Sequence, residues 1–248
     1  MEYNCKSFRA GQDEKAAVHY ANGIDPTGAA SKISMSQPVS SLSTPMLTID
    51  PAQQSPNDIY KLMVGSIVPR PIALVSSVDE AHVRNLAPFS YFTACSSNPP
   101  VVVFCPILRP APLGAKDTLR NIVATHEFVV NIVSEDFADR MNATAAQVGP
   151  EVDEFELSGL TPLASDLIKP PRVAESAVQM ECRLLQLVQV SDQPGGGTLV
   201  LGEVLRFHVR EDLIDNFRID PDKLRAVGRM AGSTYLRTSD RFDLERPK

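Results

Sequence analysis

VQMECRLLQLVQVSDQPGGGTLVLGEVLRFHV, residues 178–209, is the stretch that decides the fold. Apolar positions alternate on either side of Ser191-Asp192-Gln193-Pro194-Gly195-Gly196-Gly197, a turn-forming cluster, which predicts a long β-hairpin with arms Val178–Val190 and Thr198–Val209. In the second arm Leu199, Leu201, Leu205, Phe207 and Val209 share a parity that Glu203 interrupts, so that face is expected to turn inward. A phase slip at Leu184-Leu185 predicts a bulge. The glycines sit at the hairpin tip, where they read as a turn and not as a phosphate cradle.

Working outward, shorter runs rich in Val, Ile and Phe are each bounded by breakers: Pro71–Val78, Pro100–Cys105 and Glu127–Val133. Their length and β-branched content predict strands. Helices are few. Ser55-Pro56-Asn57-Asp58 supplies an N-cap, a first-position proline and an acid, and opens a helix with Ile59, Leu62 and Met63 on one face and Gly65 at its end. Two more short helices are expected, one capped by Asp117 and carrying Leu119, Ile122 and Val123, the other over Asp136–Met141. Strand-dominated order without βαβ alternation gives the fold class: mainly β, a closed or half-closed β-barrel with peripheral helices.

The 248 residues leave room for a sizeable core. Residues 1–45 lack a sustained period and end in the Ser/Pro-rich SKISMSQPVSSLSTP, so they are expected to be a disordered extension before one domain at 46–248. A net charge of −6 argues against nucleic acid or an anionic membrane as partner. With no apolar run of membrane-spanning length and no secretory signal at the N-terminus, the expectation is a soluble, cytoplasmic protein. Cys5, Cys95, Cys105 and Cys182 lie far apart, without the tight spacing of a zinc or thioredoxin site, and read as buried reduced thiols. His19, His82, His126 and His208 form no ligand pair, and His208 reads as a polar-face strand residue.

Nucleophile elbows, metalloprotease and phosphate-loop motifs are missing. Two segments stand out. Val68–Phe92, VPRPIALVSSVDEAHVRNLAPFSYF, places prolines on both sides of Arg70. It reads either as a rigid wall beside a flat ligand, with Ser76, Ser77, Asn85 and Ser90 as donors, or as an ordinary strand-turn-strand in which Pro88 breaks the second strand. At Lys116-Asp117-Thr118 a cation and a hydroxyl meet a helix start, which can hold a phosphate or can simply be a capped terminus.

Together, GSIVPRPIALVSSVD (65–79), NLAPFSYF (85–92), NPPVVVF (98–104), KDTLRNI (116–122), EFVVNIV (127–133) and GEV (202–204) resemble the flavin reductase-like, flavoredoxin-type FMN-binding proteins, in order over about residues 55–237. The resemblance implies an FMN-binding split β-barrel, usually a homodimer with non-covalent FMN near the subunit interface. It implies that Arg70, Pro71, Ser76 and Ser77 run beside the flavin. By the same resemblance Asn85, Ala87, Phe89, Ser90 and Tyr91 surround its ring and ribityl chain, and Lys116 and Thr118 lie near its phosphate. Gly228–Tyr235 matches the family's closing motif, and Arg229 there reads as a phosphate or interface contact or as a structural ion pair.

The implied activity is reduction of FMN by NAD(P)H, with electrons passed to free flavin, a monooxygenase partner or another acceptor. No catalytic side chain is then required, because the cofactor carries the chemistry. Nicotinamide-using relatives often carry Gly-Asp-His where this chain has Gly202-Glu203-Val204. That departure keeps a second reading open, a non-enzymatic FMN-binding electron carrier reduced by a protein donor.

Overall fold

The computed structural model describes residues 45–247, and contacts divide the chain into Met1–Thr48 and Ile49–Lys248. Residues 1–44 of the expected extension lie outside the described residues. The second unit is built on an antiparallel sheet of seven strands: β1 (Ala73–Val78), β2 (Arg84–Phe89), β3 (Phe92–Ser97), β4 (Pro100–Phe104), β5 (Glu127–Ile132), β8 (Val178–Gln189) and β9 (Thr198–Val209). The two-residue strands β6 (Pro162–Leu163) and β7 (Arg172–Val173) pair with each other, as do β10 (Ile214–Asp215) with β11 (Arg218–Ile219) and β12 (Val227–Arg229) with β13 (Tyr235–Arg237). The helices are α1 (Pro56–Ser66), α2 (Asp117–Thr125), α3 (Ala138–Ala143), α4 (Glu154–Ser158) and α5 (Pro221–Leu224).

Strand order in the large sheet is β2-β1-β5-β8-β9-β4-β3, with β2 and β3 at the edges. The sheet curls on itself. Phe89, on one edge strand, meets Phe104, one strand in from the other edge, with ring centroids 4.9 Å apart, and Phe104 meets Phe128 of β5 edge-on at 5.5 Å. These rings, with Val75, Val102, Val130, Cys182, Val200 and Val204, fill the barrel, and Ile122 of α2 joins them. A second core lies on the outer face of β1, where Leu74 and Leu86 pack with Phe137, Met141 and Phe155 from the 135–158 helices. Strand β1 is buried on both faces, which is why Ala73–Val78 reads as a run and not as an alternation.

The β8–β9 hairpin forms as expected, and the predicted bulge falls between Leu184 and Gln186; another lies opposite Glu181/Cys182. Its facing differs from the expectation. Val200, Gly202 and Val204 point inward, whereas Leu199, Leu201 and Leu205 are half-buried and Phe207 is exposed. Apolar residues occupy both parities of this strand, so alternation alone does not settle the face. The Phe128 ring does: a Cβ on Gly202 would stand 2.2 Å from its Cζ, so the inward position must be glycine.

Three further expectations change. Pro88 does not break its strand, because β2 is an edge strand and a proline there forfeits no ladder bond. Lys116, not Asp117, is the N-cap residue of α2, and its side chain makes no capping bond. Among the described cysteines, all free, only Cys182 is buried; Cys95 is exposed on edge strand β3.

Candidate functional site

The β2–β3 corner, Pro88-Phe89-Ser90-Tyr91, forms one wall of a groove of about 1000 Å³. Opposite stand Ile59, Tyr60 and Met63 of α1, and the loop Cys105–Pro110 closes one side. That loop is pinned to the glycine tip of the β8–β9 hairpin by Leu108 N–H to Gly196 O, 2.7 Å, and Gly195 N–H to Leu108 O, 3.0 Å. Gly197 allows the approach, since a Cβ there would lie 2.3 Å from Cys105 Sγ. The only charged side chains lining the groove, among the described residues, are Arg109 and Lys116.

Both cations also line an adjoining cavity of about 150 Å³ with Asn85, Ala87, Asp117, Thr118, Glu154 and the 144–148 turn. Lys116 Nζ lies 5.0 Å from the centroid of Phe89. No carboxylate or hydrogen-bond acceptor among the described residues pairs with it. Burial lowers its pKa, the nearby Arg109 lowers it further, and Asp117 opposes both. The acids here are already engaged. Asp117 contacts Arg120 and stands 4.0 Å from Arg109, and Glu154 Oε2 accepts Leu86 N–H at 2.9 Å. Burial raises the Glu154 pKa, opposed by that backbone bond.

Behind the cations lies a buried polar layer. Asn85 Nδ2 donates to Thr118 Oγ1 at 2.9 Å, and Asn121 Nδ2 to Ser77 Oγ at 3.2 Å. These bonds fix the first turn of α2 against β1 and β2, so its N-terminus faces the smaller cavity with a fixed aim. Tyr91 is partly buried on the groove wall, and burial, with Tyr60 as a neighbouring phenol, raises its pKa.

Of the residues singled out in the sequence, the structure gathers Asn85, Ala87, Phe89, Ser90, Tyr91, Lys116 and Thr118 around these two joined spaces, Phe89, Ser90 and Tyr91 along the groove and the rest about the smaller cavity. It does not bring the others there. Arg70 is buried and its guanidinium is consumed internally, by Val64 O at 2.6 Å, Ile67 O at 2.8 Å, Met230 O at 2.9 Å and Ser90 Oγ at 3.4 Å. It therefore caps the end of α1 and ties it to the C-terminal hairpin. Ser76 donates to Pro171 O inside the core, Ser77 faces Asn121, and Pro71 is exposed away from the groove. Arg229 stacks on Tyr235 at 4.4 Å and bonds Gly232 O within its own hairpin.

Sequence reasoning missed Arg109, whose only signal was a cation in the Pro-rich Ile107-Leu108-Arg109-Pro110 loop, and Tyr60 of α1, and it placed Met63 on the helix's apolar face without a role in a site. It also undervalued His208. That ring lies 2.6 Å from Oε1 of Glu181, a fully buried carboxylate that also accepts Asp166 N–H at 2.8 Å and Leu167 N–H at 2.7 Å. Burial pushes the Glu181 pKa up, but these hydrogen bonds prevail and hold it below the ordinary value. Asp166, Glu181 and His208 cluster as metal ligands can. Asp166, however, is bound to Arg206 at 2.7 Å and lies 3.9 Å from Arg172, so the cluster is an ion-paired loop anchor.

A curled antiparallel sheet whose groove offers two cations at one end and aromatic walls along its length belongs with the flavin-handling split-barrel oxidoreductases. A family model described as flavin reductase like domain matches residues 64–225. The chain belongs to that family. It is similar to the crystal structure of nitrilotriacetate monooxygenase component B from Bacillus cereus, at 40% identity and TM-score 0.77, covering 82% of this chain and 100% of that one. The 2-nitrobenzoate 2-nitroreductase NbaA of Pseudomonas fluorescens follows at 33% and 0.73, covering 81% and 96%. A Shewanella frigidimarina chain assigned as a flavin reductase with split barrel domain, 20% identical with TM-score 0.69 over 79% of this chain and 96% of its own, shares the fold. No helix among the described residues is long and apolar enough to cross a membrane.

Proposed function

We propose that this chain is an FMN-binding oxidoreductase, an NAD(P)H-dependent flavin reductase that passes electrons through bound FMN to free flavin, a monooxygenase partner or another acceptor. One observation carries the reading: Lys116, partly buried over Phe89 beside Arg109, forms no ion pair or hydrogen bond among the described residues, and it stands where the smaller cavity meets the aromatic groove. A monophosphate attached to a flat ring system matches that pattern, with the phosphate at Lys116, Arg109 and the start of α2, and the ring along Phe89–Tyr91. The residues present fit the cofactor.

Acceptance of a hydride and its release as electrons is the chemistry that a bound flavin supplies. The chain's residues bind, orient and exclude water. Phe89, backed by Phe104, makes a rigid apolar wall, Asn85 and Thr118 hold α2 in register, and Arg70 fixes the serine beside Tyr91. An electron carrier reduced by a protein donor is the second reading, favoured by Glu203, which sits where relatives carry the Asp of Gly-Asp-His and is engaged by Arg183 at 2.9 Å. Kinship with a monooxygenase component supports a partner oxygenase. A homodimer is proposed from the apolar outer face of β8 near the hairpin tip, where Leu185, Val188 and Val190 are exposed. Free Cys95, Cys105 and Cys182 support a reducing, cytoplasmic location.

The test is a titration of the full chain with FMN, followed by anaerobic addition of NADH or NADPH. FMN should bind, and Lys116→Ala should weaken it by about 10- to 100-fold, the worth of one charge-assisted hydrogen bond to phosphate. Bleaching of the flavin band by reduced nicotinamide supports the reductase, and bleaching only by dithionite supports the carrier. An unchanged FMN affinity in Lys116→Ala removes the phosphate site.

A further inference from the structure

Asp215-Asn216-Phe217-Arg218 closes the small hairpin of β10 and β11, with Asp215 opposite Arg218 and two residues at the tip. Both tip residues have positive φ, 46° at Asn216 and 61° at Phe217. The second position of such a turn calls for glycine, and a large aromatic side chain is strained there. The ring is 95% exposed, so no packing among the described residues offsets that strain. The root of the hairpin, by contrast, is fixed. Leu213 is buried in a cluster with Ala177 and Val178, against which Val209 and Ile219 pack, and Asp220 N–H donates to Leu213 O at 2.8 Å. A bare ring held in a strained conformation on a rigid base has the form of a contact anchor.

Beside that root lies a cavity of about 510 Å³, walled in part by the same Ala177 and Val209. Phe207, 54% exposed, is its aromatic side, and Arg172, His208 and Arg210 make it cationic. Its one carboxylate, Glu175, is already held by Arg140 at 2.8 Å and by Thr161 N–H at 3.1 Å. Arg210 places Nε on Asp212 at 2.6 Å and leaves Nη1 without a partner among the described residues. The hairpin has the opposite character. Glu211 at its root and Asp215 at its tip are exposed and form no ion pair among the described residues, and Arg218 is the single cation between Glu211 and Asp222.

We infer that Phe217 docks in this cavity of a second copy of the chain, its ring against Phe207 and its neighbour Asp215 against Arg210, while the second copy's Phe217 fills the first copy's cavity. Knob and hollow lie side by side on one rigid base, so a two-fold axis brings both pairs together at once. Aromatic rings gain from meeting edge to face, and an acid beside the knob matches the free edge of an arginine in the hollow. The contact is separate from the apolar face of β8 near the hairpin tip. Phe207, His208 and Val209 pair with Met180, Gln179 and Val178 at the start of β8, whereas Leu185 and Val188 lie further along it toward the tip.

Sedimentation velocity of the full chain over a range of concentrations tests this contact. Phe217→Gly should weaken association about 100-fold or more, since a two-fold contact loses both rings together. The assembly should drop by one level, from dimer to monomer, or from tetramer to dimer where the β8 face also joins copies. Glycine is the residue this turn favours, so the far-ultraviolet circular dichroism of the variant should match wild type, which sets misfolding aside as the cause. Arg210→Glu and Asp215→Lys should each weaken association about tenfold, and the double variant should regain most of the loss. Assembly unchanged in Phe217→Gly overturns the inference and leaves the ring to a different protein or to no partner. A wild-type chain that stays monomeric throughout does the same. A double variant that associates no more tightly than either single variant also overturns it, because the two side chains then do not meet.

Discussion

Arg70 and Lys116 are cations set against the same barrel, one in the segment leading into β1 and the other at the start of α2. The chain treats them in opposite ways. Arg70 is 6% exposed and its guanidinium has four acceptors around it, every one belonging to the protein. Lys116 has an aromatic face, a like-charged neighbour and a cavity. A buried donor whose bonds are all made within the fold holds the structure together, whereas a part-exposed cation beside a cavity is free to meet a ligand. This difference separates residues that the sequence motif presents as one group. The Arg70, Ser76 and Ser77 side chains are spent inside the fold, and the Asn85–Tyr91 segment with Lys116 and Thr118 lines the groove and the cavity beside it.

The largest effect should come from removing the saturated cation. Arg70→Ala leaves the α1 terminus and Met230 O without their donor and should cost about 2–4 kcal/mol, several lost hydrogen bonds at about 1 kcal/mol each. Urea denaturation of apoprotein measures it. Lys116→Met should lie within about 1 kcal/mol of wild type in the same experiment, because it removes a charge that nothing among the described residues pairs. Equal losses in the two variants would erase the distinction.

Gly202 sharpens the comparison from a third place. It opens the Gly202-Glu203-Val204 element, where the resemblance locates a nicotinamide-linked motif, yet its surroundings are those of packing. Gly202→Ala drives a methyl group into the Phe128 ring and should destabilise by about 1–3 kcal/mol, the usual cost of overpacking. Thermal melts should show the loss, with FMN affinity per folded molecule unchanged. A stable Gly202→Ala protein with altered nicotinamide kinetics would move the element into the site.

Much of this architecture is legible in the amino-acid sequence alone. The hairpin bounds, the bulge at Leu185 and the Ser55 cap of α1 follow from turn chemistry and period, which act within a few residues. The curl of the sheet and the inward face of β9 depend on Phe128 meeting Gly202 across strands far apart in sequence, and no local pattern carries that. The site divides in the same way. The Phe89–Tyr91 corner and the Lys116 helix start announce themselves as motifs, whereas Arg109 and the α1 wall become visible only when loop 105–110 is pinned beside the hairpin tip.

Glu181 is the acidic counterpart of Arg70, a buried charge satisfied by the fold, and pH reads it out. Its pKa is held down in the folded state, so the unfolded chain binds its proton more readily, and the stabilisation is full above the ordinary carboxylate range and lost as pH falls through the folded value. Glu181→Gln should flatten the acid limb of the stability profile between about pH 5 and pH 3 and loosen the Asp166–Leu167 loop. An unchanged acid limb would show that the loop, not the carboxylate, carries the anchor.

Lys116 gives the smallest signal and the most direct one. Its pKa lies below the ordinary 10.5 in the free protein, so the unfolded chain holds that proton more readily and apoprotein stability should rise as pH climbs toward 10.5. An anion bound at Nζ reverses the shift by favouring the charged form. FMN binding on the alkaline side, below the ordinary 10.5, should therefore be accompanied by proton uptake, measured by calorimetry in two buffers of different ionisation enthalpy, and Lys116→Met should abolish it. Arg70 cannot produce this signal, because its donors are satisfied by the chain whether or not a ligand is present. Proton uptake that survives in Lys116→Met would place the titrating group elsewhere, and the contrast between the closed cation and the open one would then need a different residue on its open side.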